Sequence, residues 1–177
     1  MNTRDTVPAR ASEPRTRYSV WAGYAACAWG CLFAAISFYW GLGGTLGLDT
    51  IGGSIEKLGR AHDPTMLAAV WGTGFLKVLG ALLAVALVHP WGRRLPRRPV
   101  LAMSWGAAVL LTGYGGVLVA VEALVASGAV EPRSAIDRTG LLWHLYLWDM
   151  SFLVWGFLFG VAAWHYTRTT GKTSADG

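Results

Sequence analysis

Charge is what this sequence has least of: 14% of its 177 residues are Asp, Glu, Lys or Arg, against about 25% in ordinary soluble domains. With 54% hydrophobic residues, little is left from which to build a soluble domain. Cysteine is scarcer still. Cys27 and Cys31 are the two in the chain, four residues apart in an apolar run, which excludes a disulfide framework or a zinc finger and leaves two small packing residues. No hydrolase elbow, phosphate-binding loop or dinucleotide fingerprint occurs, so those enzyme classes have no motif here.

What is present is a set of four long apolar stretches, about residues 18–40, 66–88, 100–126 and 141–166. Each has the roughly 20 residues that a helix needs to cross a 30 Å hydrocarbon layer. The expected fold is all-α, an integral membrane four-helix bundle formed by residues 18–166. Polar tails at 1–17 and 167–177 carry no core residues and are expected to be disordered. The first stretch is too long for a cleavable signal peptide and is expected to remain as a helix.

The net charge of +5 would point to nucleic acid in a soluble protein, but here it gathers at helix ends and no nucleic-acid partner is expected. Arg4, Arg10, Arg15 and Arg17 precede the first span, Arg93, Arg94, Arg97 and Arg98 crowd the link WGRRLPRRP, and Arg168 and Lys172 follow the last. The other two loops mix their few cations with acids. The positive-inside rule therefore predicts a cell-membrane protein with both termini and the arginine link in the cytoplasm.

Between the first two spans, Leu48, Ile51, Ile55 and Leu58 recur at helical spacing and predict a short amphipathic helix on the outer surface. His62-Asp63-Pro64 stops it, and Pro64 can begin the second span. Small residues four apart, Gly30 with Ala34, Gly80 with Ala84, Gly116 with Ala120 and Gly156 with Gly160, predict close helix crossings.

Three ionisable residues fall inside the spans: Lys77, Glu122 and Asp149. Such groups are costly in hydrocarbon and normally face partners within the bundle. Two arrangements would suit Asp149. At about 1.5 Å per residue, Lys77 lies about 16 to 18 Å and Asp149 about 12 Å below the outer boundary, close enough for an ion pair docking two helices. Alternatively, Asp149 sits without a cation in an aromatic pocket as a neutral acid able to donate a proton.

Asp149 and Glu122 are thus the candidate catalytic groups, and Tyr39, Trp40, Lys77, Tyr114, His144 and Trp148 the candidate substrate-binding wall. His144 and Asp149 are five residues apart, which on an α-helix places them on different faces. With no second histidine at useful spacing, neither a metal site nor a cofactor is expected. Trp21, Trp91, Trp143 and Trp164 are read as interface anchors.

The segments YAACAWG, SFYWGLGGTLGLDTIG and WHLYLWDMSFLVWGFLFG resemble a family of small four-helix bacterial membrane proteins of unknown function. Tyr39, Trp40, Gly43 and Gly44 carry its tyrosine-tryptophan and paired-glycine motif, and the likeness extends over most of residues 18–166. It implies the fold and no activity. A looser likeness, to membrane-bound terpene cyclases, implies a reaction class: protonation of an isoprenoid by Asp149, with Trp40 and Trp148 stabilising the carbocation. A small-molecule transporter or binding protein, and a non-catalytic membrane subunit, are the alternatives. Membrane lipid, an isoprenoid and a second copy of the chain are the partners expected.

Overall fold

The structure is a computed structural model that describes residues 15–130 and 138–171. Residues 1–14 and 172–177 of the expected tails, and 131–137 of the return to the last span, lie outside the described residues. Six helices follow in order: α1 (Arg15–Gly41), α2 (Gly53–Arg60), α3 (Pro64–Ala86), α4 (Arg97–Ala126), α5 (Arg138–Trp143) and α6 (Asp149–Gly171). No strand occurs among the described residues. A π-helical turn, His144–Trp148, joins α5 to α6, so the two form one continuous rod.

Four apolar stretches are long enough to cross a bilayer: Val20–Gly41, Pro64–Ala86, Arg97–Ala126 and Arg138–Thr170. The chain is therefore an all-α, multi-pass membrane protein built as a four-helix bundle. The helical rods begin at Arg15 and run to Gly171, a little into the segments expected as tails. α3 starts where the sequence says it should. Asp63 accepts hydrogen bonds from the backbone N–H groups of Thr65 (2.9 Å) and Met66 (3.1 Å), with Pro64 in the first turn where its missing N–H costs nothing.

The spans pack in the order α3, α1, α6, α4, with α3 and α4 barely meeting. Only 11% of the apolar stretch of α4 is buried against 39% for that containing α6, so α4 presents most of its surface to lipid. The core is made of Phe159, Ala162, Ala163 and Trp155 of α6 with Ala26 of α1 and Ala84 of α3. Trp155 locks three helices together. Its indole N–H donates to the Ala26 carbonyl (2.9 Å), and a Cβ at Gly30 or Gly80 would stand 2.8 or 3.1 Å from its ring.

The expected small-residue crossings hold at Gly30, Gly80 and Gly156. On α4 the contact is one residue earlier than the 116/120 pair expected from spacing. A Cβ at Gly115 would lie 2.6 Å from the Leu153 backbone nitrogen, whereas Gly116 has ordinary space and Ala120 is exposed. Sequence spacing fixes a face only to within one residue, and helix rotation settles the rest.

The two ends of the bundle differ. One holds the start of α1, the Pro90–Arg94 turn and the end of α6, and is called here the arginine end. The other, the loop end, holds residues 42–63 and α5. The amphipathic helix expected across Leu48, Ile51, Ile55 and Leu58 is broken in two. A 3₁₀ turn at Leu48–Thr50 buries Leu48 (1% exposed), and α2 begins only at Gly53, after a break at Gly52 and Gly53, both at positive φ (67° and 61°). Ile55 and Leu58 remain exposed. Those left-handed residues rotate α2 out of register with the buried turn.

Candidate functional site

Asp149 is buried, at 4% exposure, where the π-helical turn enters α6. A regular α-helix would place residues 144 and 149 about 140° apart around its axis. Here the backbone N–H of Asp149 reaches back five residues to the His144 carbonyl, and the wider turn stacks the two side chains on one face. His144 Nδ1 lies 3.2 Å from Asp149 Oδ2. The expectation that these residues diverge is thus overturned by a single turn of π-helix. Beside it, Ser151 Oγ donates to the Leu147 carbonyl.

The other imidazole nitrogen fixes the tautomer. His144 Nε2 stands 3.0 Å from the carbonyl oxygen of Ile51. A carbonyl can only accept, so Nε2 carries the hydrogen. Nδ1 then faces Asp149 either as an N–H opposite a carboxylate or as a bare nitrogen directed into the cluster.

Glu122, from α4, completes the group. One ligand atom each from Glu122, His144 and Asp149 lies within 4.8 Å of the others. Glu122 Oε2 is buried and has no hydrogen-bond partner. Two carboxyl groups and an imidazole lone pair facing one another in a low-dielectric site need positive charge between them. That charge is either a proton or a metal cation.

The loop end closes over the cluster. Trp148 Nε1 donates to Thr50 Oγ1 (3.2 Å), which donates to the Gly47 carbonyl (2.6 Å). Trp40 packs against Trp148 with ring centroids 5.5 Å apart and donates from Nε1 to the Leu46 carbonyl (2.9 Å). The Tyr39 hydroxyl accepts from the Leu46 N–H (3.3 Å). Gly43 turns the chain at φ 93°, and the Tyr39 ring occupies the space that a Cβ at Gly44 would need. The tyrosine-tryptophan and paired-glycine motif is therefore the hinge of this cover.

Of the residues expected to form the site, the structure joins Asp149, Glu122 and His144 directly and places Tyr39, Trp40 and Trp148 in the cover. It leaves two elsewhere. Lys77 Nζ donates to Ser37 Oγ (2.6 Å), with Ser37 1% exposed, and the ion pair with Asp149 is not formed. Tyr114 is half exposed and packs edge-on against Phe152 at 5.4 Å. Thr50 and the Ile51 carbonyl were not expected at all. One is a loop hydroxyl and the other a backbone group, and neither leaves a sequence signal. Three cavities among the described residues are lined by other side chains than Asp149, Glu122 and His144.

The motif and the site both lie within residues 30–159, the segment matched by the family described as protein of unknown function (DUF3995). The chain belongs to this family. No curated protein and no solved structure matches it. For this DUF3995 member, Glu122, His144 and Asp149, the Tyr39-Trp40 hinge and Lys77 all fall inside the family segment, whereas Trp164 and Arg168 fall outside it.

Proposed function

We propose that this protein binds a divalent transition-metal ion at Glu122, His144 and Asp149, in the half of the bundle away from the arginine end. The observation that carries the proposal is the convergence of one imidazole and two carboxylate ligand atoms within 4.8 Å, with one buried carboxylate oxygen left without a partner. The expectation of no metal site rested on the missing second histidine. A mixed set of one nitrogen and two oxygen donors suits zinc and its neighbours.

The surroundings favour the same reading. A metal-ligating histidine donates its other N–H to a carbonyl or carboxylate, which fixes ring orientation; here the Ile51 carbonyl has that role. Donors on a tetrahedral metal of zinc type lie about 3.4 Å apart. His144 Nδ1 and Asp149 Oδ2 already stand 3.2 Å apart, and separations of up to 4.8 Å in the cluster need to close by at most about 1.4 Å, a movement within side-chain freedom. A divalent ion would also neutralise two carboxylates that are costly to hold as a pair in the bilayer. Three protein ligands leave a coordination position for water or a small ligand. The arginine clusters support a cytoplasmic arginine end; on that reading the metal site lies towards the opposite face of the membrane.

Acid-initiated isoprenoid cyclisation has less support. Trp40 and Trp148 pack on each other and hold the cover, and Asp149 lines none of the three cavities, although Trp148 and Met150 beside it line one. Transport along a polar track is also less favoured, because Lys77 is tied to Ser37 and not to the cluster.

The test is calorimetric titration of the protein in lipid nanodiscs with Zn²⁺, beside His144→Ala. The reading requires one ion per chain and at least a tenfold loss of affinity in the variant. Absence of saturable binding, or equal binding by the variant, would refute it.

A further inference from the structure

On the lipid-facing side of α4 and α6 a groove of about 570 Å³ runs from Trp105 and Trp164 towards Gly113. Its walls include Val109, Phe157 and Val161, and its floor Gly156 and Gly160. Apart from Thr112, every residue lining it is apolar or glycine, so its length suits a hydrocarbon chain. A Cβ at Gly113 would meet nothing within 4 Å: the space beside this glycine is open and serves no internal packing.

Cations gather at one end only. The guanidinium of Arg168 lies over the Trp164 ring, 4.3 Å from its centroid. Arg97 Nε donates to Thr170 Oγ1 (2.9 Å), its Nη2 reaches the Thr167 carbonyl (3.5 Å), and Trp105 Nε1 donates to Thr167 Oγ1 (3.3 Å). These contacts fix both tryptophans and both arginines around the groove's mouth. Neither arginine has a salt bridge among the described residues. A stationary pair of cations at an interface, above a long apolar channel, is complementary to a ligand with an anionic head and a hydrocarbon tail.

We infer that this groove binds one anionic phospholipid, its phosphate at Arg168 and Arg97 and one acyl chain along Val109, Phe157 and Gly160 as far as Gly113. A second copy of the chain fits less well. Copies inserted the same way round would pair through a two-fold axis along the membrane normal, and their arginine ends would meet. This binding is independent of the proposed metal site, which lies at the other end of α4 and α6.

The experiment is native mass spectrometry of the protein released from nanodiscs of equimolar phosphatidylglycerol and phosphatidylcholine. Wild type should retain phosphatidylglycerol in preference, and Arg168→Gln should lower that preference about fivefold, the ratio expected for one arginine at a lipid surface. Gly113→Leu, which fills open space without a backbone clash, should lower retention of both lipids. Equal retention of the two lipids by wild type, or a preference unchanged in Arg168→Gln, would overturn the proposal. So would a chain dimer that Gly113→Leu dissociates and that carries no lipid.

Discussion

The rod formed by α5, the π-turn and α6 is held in two different ways along its length. Towards the arginine end Trp155, Phe159, Ala162 and Ala163 sit in a close-packed core against α1 and α3, where small residues admit large ones. At the loop end the same rod breaks its α-helical register, buries Asp149 beside His144, and meets the loop through single hydrogen bonds from His144 to Ile51 and from Trp148 to Thr50 and through the Trp40–Trp148 ring contact. The first half is specified by shape and tolerates no change of volume. The second is specified by donor and acceptor geometry, which depends on each partner being present. A bundle that concentrates its close packing in one half can carry a polar π-turn in the other.

If the halves are separable, damage to the packed one should be largest in stability and smallest at the cluster. Trp155→Ala removes the side chain between Gly30 and Gly80 together with its bond to Ala26, and should cost about 3 to 5 kcal/mol. Reversible unfolding in mixed micelles measures it. Zn²⁺ affinity of the folded fraction should stay within about threefold of wild type. A proportional loss of affinity would show that the cluster depends on the core directly.

The next effect concerns the cluster alone. Glu122→Gln keeps the shape but removes the charge that the buried oxygen brings to the site, so Zn²⁺ affinity should fall about tenfold to a hundredfold, the range found when a supporting or ligating group is changed. The unfolding midpoint without metal should be unchanged or higher, because one of two carboxyl groups held close together has been neutralised. A lower midpoint would mean that Glu122 has a structural partner in solution that the cluster geometry does not include.

Inserting one alanine after Tyr146, an exposed residue inside the π-turn, sharpens the comparison further. Six residues would then separate His144 from Asp149, which places them about 120° apart on an α-helix. Zn²⁺ affinity should drop at least tenfold while the Trp155 core remains. Near-ultraviolet circular dichroism at Trp155 and calorimetry read the two halves separately.

Much of this fold is legible in the sequence because hydropathy, charge and capping act locally. The four spans, the Asp63-Pro64 start of α3 and the crossings at Gly30, Gly80 and Gly156 follow from composition and spacing. The site was only half legible. Asp149, Glu122 and His144 stand out because ionisable residues in apolar helices are rare, but their convergence was hidden by the assumption of 3.6 residues per turn, which a π-turn violates without a composition signal. Depth alone allows Lys77 as one of two settings for Asp149, and Ser37, the partner Lys77 takes across α1 and α3, carries no charge to announce itself. In the loop, the apolar spacing was real, yet Gly52 and Gly53 turned its second half away from the core.

The smallest effect tests whether the cover belongs to the polar half at all. Trp148→Phe keeps most of the ring area packed against Trp40 and deletes the N–H donated to Thr50 Oγ1. The hydroxyl of Thr50 retains its own donation to the Gly47 carbonyl, so no buried donor is stranded and the cost should be about 1 kcal/mol, the net worth of one hydrogen bond. Thr50 adjoins Ile51, whose carbonyl orients His144. A cover loosened at Thr50 should therefore let the imidazole turn, and Zn²⁺ should dissociate about fivefold faster with little change in association. Stopped-flow chelator competition measures both rates. A change in stability with no change in dissociation would assign the Trp40-Trp148 pair to the packing of the loop and leave His144 held by Asp149 and the Ile51 carbonyl without help from the cover.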